Sequence, residues 1–189
     1  VALVIPFPGD DRQQGAVVRN HPALFPEGPL SIEVVMMPDP RLYEKLADSR
    51  WQSRATLVDT MAVDYVHQSP SVECKQGYQM DLRYVDATTA RLAVTLGFGR
   101  DQPLATYQTA PIAFQPGQWY RVLFTYDGKG TGRIVLDGAL AAEATHDGRA
   151  GILPSRRNAL HIGERATSTY RSFPGRIGRV RLWHQAVNP

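Results

Sequence analysis

The chain has 189 residues, 43% of them hydrophobic and 21% charged, and its formal net charge of +3 is carried by 18 Arg and 3 Lys. That length suits one domain of the sandwich or barrel type, the composition is that of a globular chain, and no apolar run approaches the roughly 18 residues a membrane-spanning helix needs. A nucleic-acid partner is not expected, because the positive charge is accompanied by no helix-turn-helix, zinc-finger or aromatic ribonucleoprotein pattern.

Residues 1–14, with Pro6, Pro8, Gly9 and the Asp10-Asp11 pair, read as a leading strand followed by a loop, and the opening Val1-Ala-Leu-Val-Ile lacks the basic region of an intact signal peptide. Residues 15–19 form a short strand, and residues 30–37 a strong one that Pro38 and Pro40 stop. Residues 41–54 are where helical spacing competes with strand: Leu42, Leu46 and Tyr43 fall to one side, which predicts a helical turn or two in an insertion. Strand patterns resume at 56–60, 62–67, 78–85, 91–98 and 106–114, each run short and bounded by turn residues. Two further strands, 119–126 and 134–136, flank a glycine-rich loop, and Asp137-Gly138 then marks a tight reversal that reads as a turn rather than a ligand position. Such a series predicts an all-β chain, an antiparallel two-sheet β-sandwich of the jelly-roll kind, over residues 1–189 as one domain.

Alternation assigns faces. Tyr78, Met80, Leu82 and Tyr84 point inward, leaving Gln79, Asp81 and Arg83 outward; Leu92, Val94 and Leu96 turn in while Arg91 and Thr95 turn out. The same count sends Val122, Phe124 and Tyr126 to the core and Arg121 and Thr125 outside, with Arg133 outside Ile134 and Leu136. Arg therefore recurs on outer faces, and the last 41 residues alone carry Arg149, Arg156, Arg157, Arg165, Arg171, Arg176, Arg179 and Arg181. Whether the outer arginines make one patch depends on which strands share a sheet.

The stretch from Gly117 through Trp119-Tyr-Arg-Val-Leu-Phe-Thr-Tyr-Asp-Gly128, followed by Arg133-Ile-Val-Leu-Asp-Gly138, resembles the W-x-x-V-x-x-T-Y-D-G and L-D-G pattern of laminin-G-like domains of the concanavalin A-like lectin and glucanase superfamily. Leu30-Ser-Ile-Glu-Val-Val, Gly77-Tyr-Gln-Met-Asp-Leu, Leu160-His-Ile-Gly163 and Phe173-Pro-Gly-Arg-Ile-Gly-Arg-Val-Arg-Leu-Trp183 follow the same order. The resemblance implies a concanavalin A-like fold and a noncatalytic recognition module for glycan or another protein, carried by a larger bacterial polypeptide that is secreted or displayed at the cell surface. It also places Trp119 at the family's core tryptophan, so packing is expected of it, and of Trp183 in the last strand.

Catalytic chemistry finds little support. The E-x-D-x-E triplet of laminarinase-type relatives is missing, Asp59 and Asp64 are spaced to opposite faces of a regular strand, and His67, His146, His161 and His184 are dispersed, so a polysaccharide lyase is the weaker alternative. Cys74 is alone, which excludes an internal disulfide and a cysteine metal cluster. Calcium would draw on Asp10, Asp11, Asp59 and Asp64, but where the family reads G-x-I-D-[DE]-V this chain has Gly175-Arg-Ile-Gly178-Arg179-Val, so no metal or other cofactor is expected.

Sugar recognition needs an aromatic face to stack on and planar polar groups to fix hydroxyls and charges. Trp51, beside Arg50 and Arg54 in the insertion, is the first candidate; Tyr170 and Arg171, in the loop before the last strand, are the second. An indole with flanking guanidinium forks suits an acidic glycan. The competing class is a structural or assembly domain whose outer faces contact other subunits.

Overall fold

The computed structural model describes residues 3–5, 15–19, 21–43, 53–61, 76–99, 102–152, 159–166 and 172–188. Their strands form two six-stranded antiparallel sheets. The first runs β1 (Leu3–Ile5), β12 (Gly175–Trp183), β3 (Leu30–Pro38), β8 (Tyr120–Tyr126), β9 (Thr131–Leu136) and β10 (Ala139–Thr145). The second runs β2 (Ala16–Val18), β11 (Leu160–Ile162), β4 (Arg54–Asp59), β5 (Gln76–Tyr84), β6 (Ala90–Phe98) and β7 (Ala105–Gln108). Consecutive strands β8-β9-β10 and β4-β5-β6-β7 pair as neighbours, and β1, β12 and β3 in one sheet and β2 and β11 in the other join them from distant parts of the chain, as the expected all-β architecture requires.

The inward parities build the core. Leu30, Ile32, Val34 and Met36 of β3 and Val122, Phe124 and Tyr126 of β8 pack in one cluster with Tyr78, Met80 and Leu82 of β5 and Leu92, Val94 and Leu96 of β6. Each such side chain contributes about 1.5–3 kcal/mol by leaving water. Tyr107 ties the sheets together: its ring lies 5.3 Å from that of Phe124, and its hydroxyl donates to the Gly130 carbonyl at 2.7 Å. It fits only because β9 carries Gly132 there, where a Cβ would come within 2.6 Å of the Tyr107 ring.

Asp137 and Gly138 make the hairpin turn between β9 and β10 with φ of 50° and 86°, the mirror-image turn that a two-residue hairpin favours. Asp137 also accepts the Arg121 N–H through Oδ1 at 2.7 Å, so it is the turn residue expected. β10 itself, Ala-Leu-Ala-Ala-Glu-Ala-Thr, was not anticipated: its alanines lack strand propensity, and pairing with β9 through that turn supplies what propensity does not.

Other expectations need correction. Trp119 is not a core residue: it is 43% exposed and lies against Gly178 on the outer side of the first sheet. Trp183, opposite Ser31 at the end of β12, is half-buried. The run 106–114 is a strand only to Gln108, after which Ile112 makes an isolated bridge to Ala90 and Phe114 drops into the core. Of the predicted insertion 41–54, the described residues hold the 3-10 turn Pro40–Tyr43, which buries Leu42, and the start of β4 at Arg54, while residues 44–52, on which the rest of that expectation falls, lie outside them. The expected strand 62–67, Cys74, Asp10, Asp11 and Asp64 lie outside the described residues.

Candidate functional site

The outward parity was right for the second sheet, but its polar face is not a simple solvent face. Thr56, Asp59, Gln79, Asp81, Thr95 and His161 are all buried. Hydrogen bonding accounts for most of this. Asp59 accepts from the Met61 N–H at 2.7 Å, the Ala166 N–H at 3.0 Å and Gln79 Nε2 at 3.2 Å, while His161 Nδ1 pairs with Glu164 Oε1 at 3.1 Å. Burial pushes the Asp59 carboxyl up to about 7, with the two backbone N–H groups and the charge of Arg165 opposing it. The Thr56 hydroxyl is buried and finds no hydrogen-bond partner.

Across this face three arginines stand in register. Arg54 of β4 is opposite Arg83 of β5, which is opposite Arg91 of β6. The hairpin setting the second pair is closed by Asp86, whose Oδ1 accepts the N–H groups of Thr88 and Thr89, each at 2.8 Å. Like charges directly opposite in a sheet are unfavourable. They are partly compensated: Arg83 donates Nε to Asp81 Oδ1 at 2.9 Å and Nη2 to Thr95 Oγ1 at 2.7 Å, and Arg91 donates Nη1 to the Thr109 carbonyl at 2.9 Å. Arg54 is held more loosely, with Nη1 at 3.6 Å from Asp81 Oδ2. Its pKa is lowered, first by burial, and the positive charges of Arg83 and Arg165 add to that while Asp81 opposes.

Of the five site residues read from the sequence, the structure places Arg54, at the head of this row; Arg50, Trp51, Tyr170 and Arg171 lie outside the described residues. The segments flanking the two candidates nonetheless meet at one strand. Ala166 donates to Asp59 at the end of β4, Ser172 bridges to Thr56 in its middle, and Arg165 acts electrostatically on Arg54 at its start. Arg83, Arg91 and Arg165, which the geometry groups with Arg54, are not among the candidates read from the sequence. The first two were detectable as outward arginines seven residues inside a single hairpin count, since Tyr84 pairs with Ala90; nothing in the local sequence points to Arg165.

A second cationic cluster lies on the outer face of the first sheet. Glu33 of β3, itself buried, receives Arg121 Nε at 2.6 Å and Arg179 Nε at 2.8 Å, with Arg181 Nη1 at 3.7 Å. Burial would push the Glu33 carboxyl up, but the bonds and charges of Arg121 and Arg179 together outweigh it and hold it below the usual carboxylate range. Arg133 and Glu143 pair across β9 and β10 on the same face.

Among the described residues, no group of three or more His, Cys, Asp or Glu is arranged to hold a metal ion, and no helix is long and apolar enough to cross a membrane.

Comparison with known proteins bears on this geometry. A family model described as the concanavalin A-like lectin/glucanases superfamily matches residues 46–189. No curated protein matches the sequence. Among solved structures, the chain is similar to the CBM40 of Ruminococcus gnavus IT-sialidase bound to α2,3-sialyllactose, with a TM-score of 0.61 and 11% identity over 95% of this chain and 91% of that one. It is similar also to the binding domain of botulinum neurotoxin serotype G, with a TM-score of 0.60 and 13% identity, covering 95% of this chain but 39% of that one. The binding domain of serotype D gives a TM-score of 0.59 and 8% identity, over 91% of this chain and 37% of that one. At these identities the likeness is one of fold.

Proposed function

Because the chain belongs to the concanavalin A-like lectin/glucanase superfamily, we propose that it is a noncatalytic recognition module for an acidic glycan, acting outside the cell as part of a larger polypeptide. The observation carrying this reading is the row Arg54, Arg83 and Arg91 with Arg165 at its edge. A carboxylate or sulfate placed there accepts paired hydrogen bonds from guanidinium forks and relieves the repulsion among them. Arg54 is the natural first contact, being already partly desolvated and less tightly held than Arg83. Trp51 and Arg50, just before β4, and Tyr170 and Arg171, between Arg165 and the bridge at Ser172, supply the stacking face and further donors.

Five of the described tyrosines are poorly suited to serve as the base of a lyase. Burial pushes the phenols of Tyr43, Tyr78, Tyr84, Tyr107 and Tyr126 upward, the wrong direction for a base working near neutral pH. The CBM40 relative in fold carries α2,3-sialyllactose, which makes that trisaccharide a reasonable first probe.

The test is titration of the protein with α2,3-sialyllactose, a glucuronic-acid oligosaccharide and neutral lactose at low and high salt, with Arg54→Gln and Trp51→Ala alongside. Acidic ligands should bind, weaken as salt rises and lose affinity in both variants. Binding of lactose that ignores salt and both substitutions contradicts the proposal.

A second reading, a protein-contact domain, draws on the edge strand β2, where Val17 and Val18 are 51% and 39% exposed. Among the described residues β2 pairs with β11 alone, and a strand edge bearing valines is a template for another chain. Light scattering showing a stable dimer that Val17→Lys dissolves would favour it.

A further inference from the structure

The outer face of the first sheet holds an arrangement that the row on the second sheet does not account for. Trp119 leaves 43% of its surface exposed, unusual for an indole that could have been tucked into a sandwich of this size. The ring is backed by Gly178, where a Cβ would stand 3.1 Å from Cζ3 and 3.2 Å from Cη2 of the indole. Gly178 sits where β12 slips register between Ile177 and Arg179, so the strand presents bare backbone to the ring at that point.

Two arginines lie near this contact in sequence and register. Arg179 follows Gly178 directly, and Arg121 lies two residues beyond Trp119; both have Val35 of β3 as their Cα partner, one from each side. Each spends its Nε on the single Glu33 carboxylate, which fixes the guanidinium plane. Their Nη groups have no partner among the described residues, and the guanidinium side chains of Arg121, Arg179 and Arg181 are each about half exposed. Three cations share one carboxylate, so the cluster keeps a positive excess while its donors are already oriented. Pre-orientation of this kind lowers the ordering cost of binding.

We propose that Trp119 on Gly178, with Arg121, Arg179 and Arg181, is a second ligand site, which takes a sugar ring bearing a tetrahedral oxyanion ester, a sulfate or a phosphate. The indole covers the apolar face of the ring. The ester oxygens, spread over three directions, accept from Nη groups arriving from β8 and β12 on either side of β3. A carboxylate, with two coplanar oxygens, matches that three-sided donor set less well. The site does not depend on the glycan reading of the second sheet: it is on the opposite face and shares no residue with it.

The test measures binding of dextran sulfate, dextran phosphate, carboxymethyl dextran and plain dextran to the full chain, to Arg54→Gln, and to Trp119→Ala and Arg181→Gln each added to Arg54→Gln. Arg181, at 3.7 Å, contributes least to holding Glu33, so its variant keeps the fold if the indole substitution does not. Dextran sulfate or dextran phosphate should bind, and Trp119→Ala and Arg181→Gln should each weaken by about tenfold the ester binding that remains in an Arg54→Gln background, where the contact of the second-sheet row with a sulfate is removed. Tighter binding of one ester than the other identifies which is taken. The proposal is overturned if ester binding in that background survives both outer-face variants, if it falls only with Arg54→Gln, or if carboxymethyl dextran binds equally well and responds to the same substitutions.

Discussion

Trp119 rests on Gly178 so closely that a Cβ at that glycine would come within 3.1 Å of the indole. The contact explains why a large aromatic can stay on the surface in one place: bare backbone beneath it acts as a seat.

Gly178→Leu should therefore displace the indole without unfolding the chain. Exposed surroundings let the ring tilt, and replacing glycine also reduces the freedom of the unfolded chain, so stability should change by less than about 1 kcal/mol. The check is the indole N–H resonance of Trp119, which should move, together with a melting temperature that does not. A resonance left in place would mean the ring is not seated on that residue.

Glu33 predicts an acid-sensitive contribution. Its carboxyl is held below the usual range, so the stability it supplies is present at neutral pH and is lost as pH falls through its folded-state value. Glu33→Gln should cost about 1–3 kcal/mol at neutral pH, the scale of a charged hydrogen-bond set whose arginines remain partly solvated. Urea unfolding of both proteins at neutral and acid pH checks this. The gap should close in acid, and a gap of constant size would remove the carboxylate from the account.

Asp59 has the opposite sign. Its folded-state value, about 7, lies above the ordinary 3.8, so between those values the folded chain holds a proton that the unfolded chain has released. This group's contribution thus favours folding most at the acid end and declines as pH rises toward 7. Asp59→Asn should flatten that part of the stability profile, whatever its effect on absolute stability. An unaltered slope would place the titration elsewhere.

How far the sequence could be read follows from the range of the interactions. Alternation is local, so it correctly sent Tyr78, Met80, Leu82, Val122 and Phe124 to the core. It could not say that Gln79, Asp81 and Thr95, on the other face, would also be buried, because that depends on segments far away in the chain. Register is equally nonlocal across β4 and β5, which is why the row that joins Arg54 to Arg83 was invisible although each arginine was visible alone. The expected role for Trp119 failed for a related reason. The residue that seats it, Gly178, and the neighbour that bonds Glu33, Arg179, are the positions where the chain departs from the family pattern that argues against calcium; the departure is visible in the sequence, but what it builds appears only when β12 is laid beside β3.

Calcium should leave the fold unchanged. The Asp59 oxygens are already engaged by Met61, Gln79 and Ala166, and the described residues gather no cluster of metal donors. Adding millimolar calcium or a chelator should shift the melting temperature by far less than the roughly 4–8 °C that about 2 kcal/mol of binding would produce in a domain of this size. A shift of that size would expose a site built from other residues.

The central claim is that an acidic glycan meets the arginine row of the second sheet, and the most direct measurement is the set of arginine Nε–H resonances during titration with α2,3-sialyllactose or a glucuronic-acid oligosaccharide. Arg54, Arg83 and Arg165 should shift together and saturate at one ligand concentration, whereas Arg121 and Arg179, whose Nε groups are committed to Glu33, should stay in place. Saturating glycan that leaves Arg54, Arg83 and Arg165 unmoved, or moves only the arginines of the first sheet, would contradict the account.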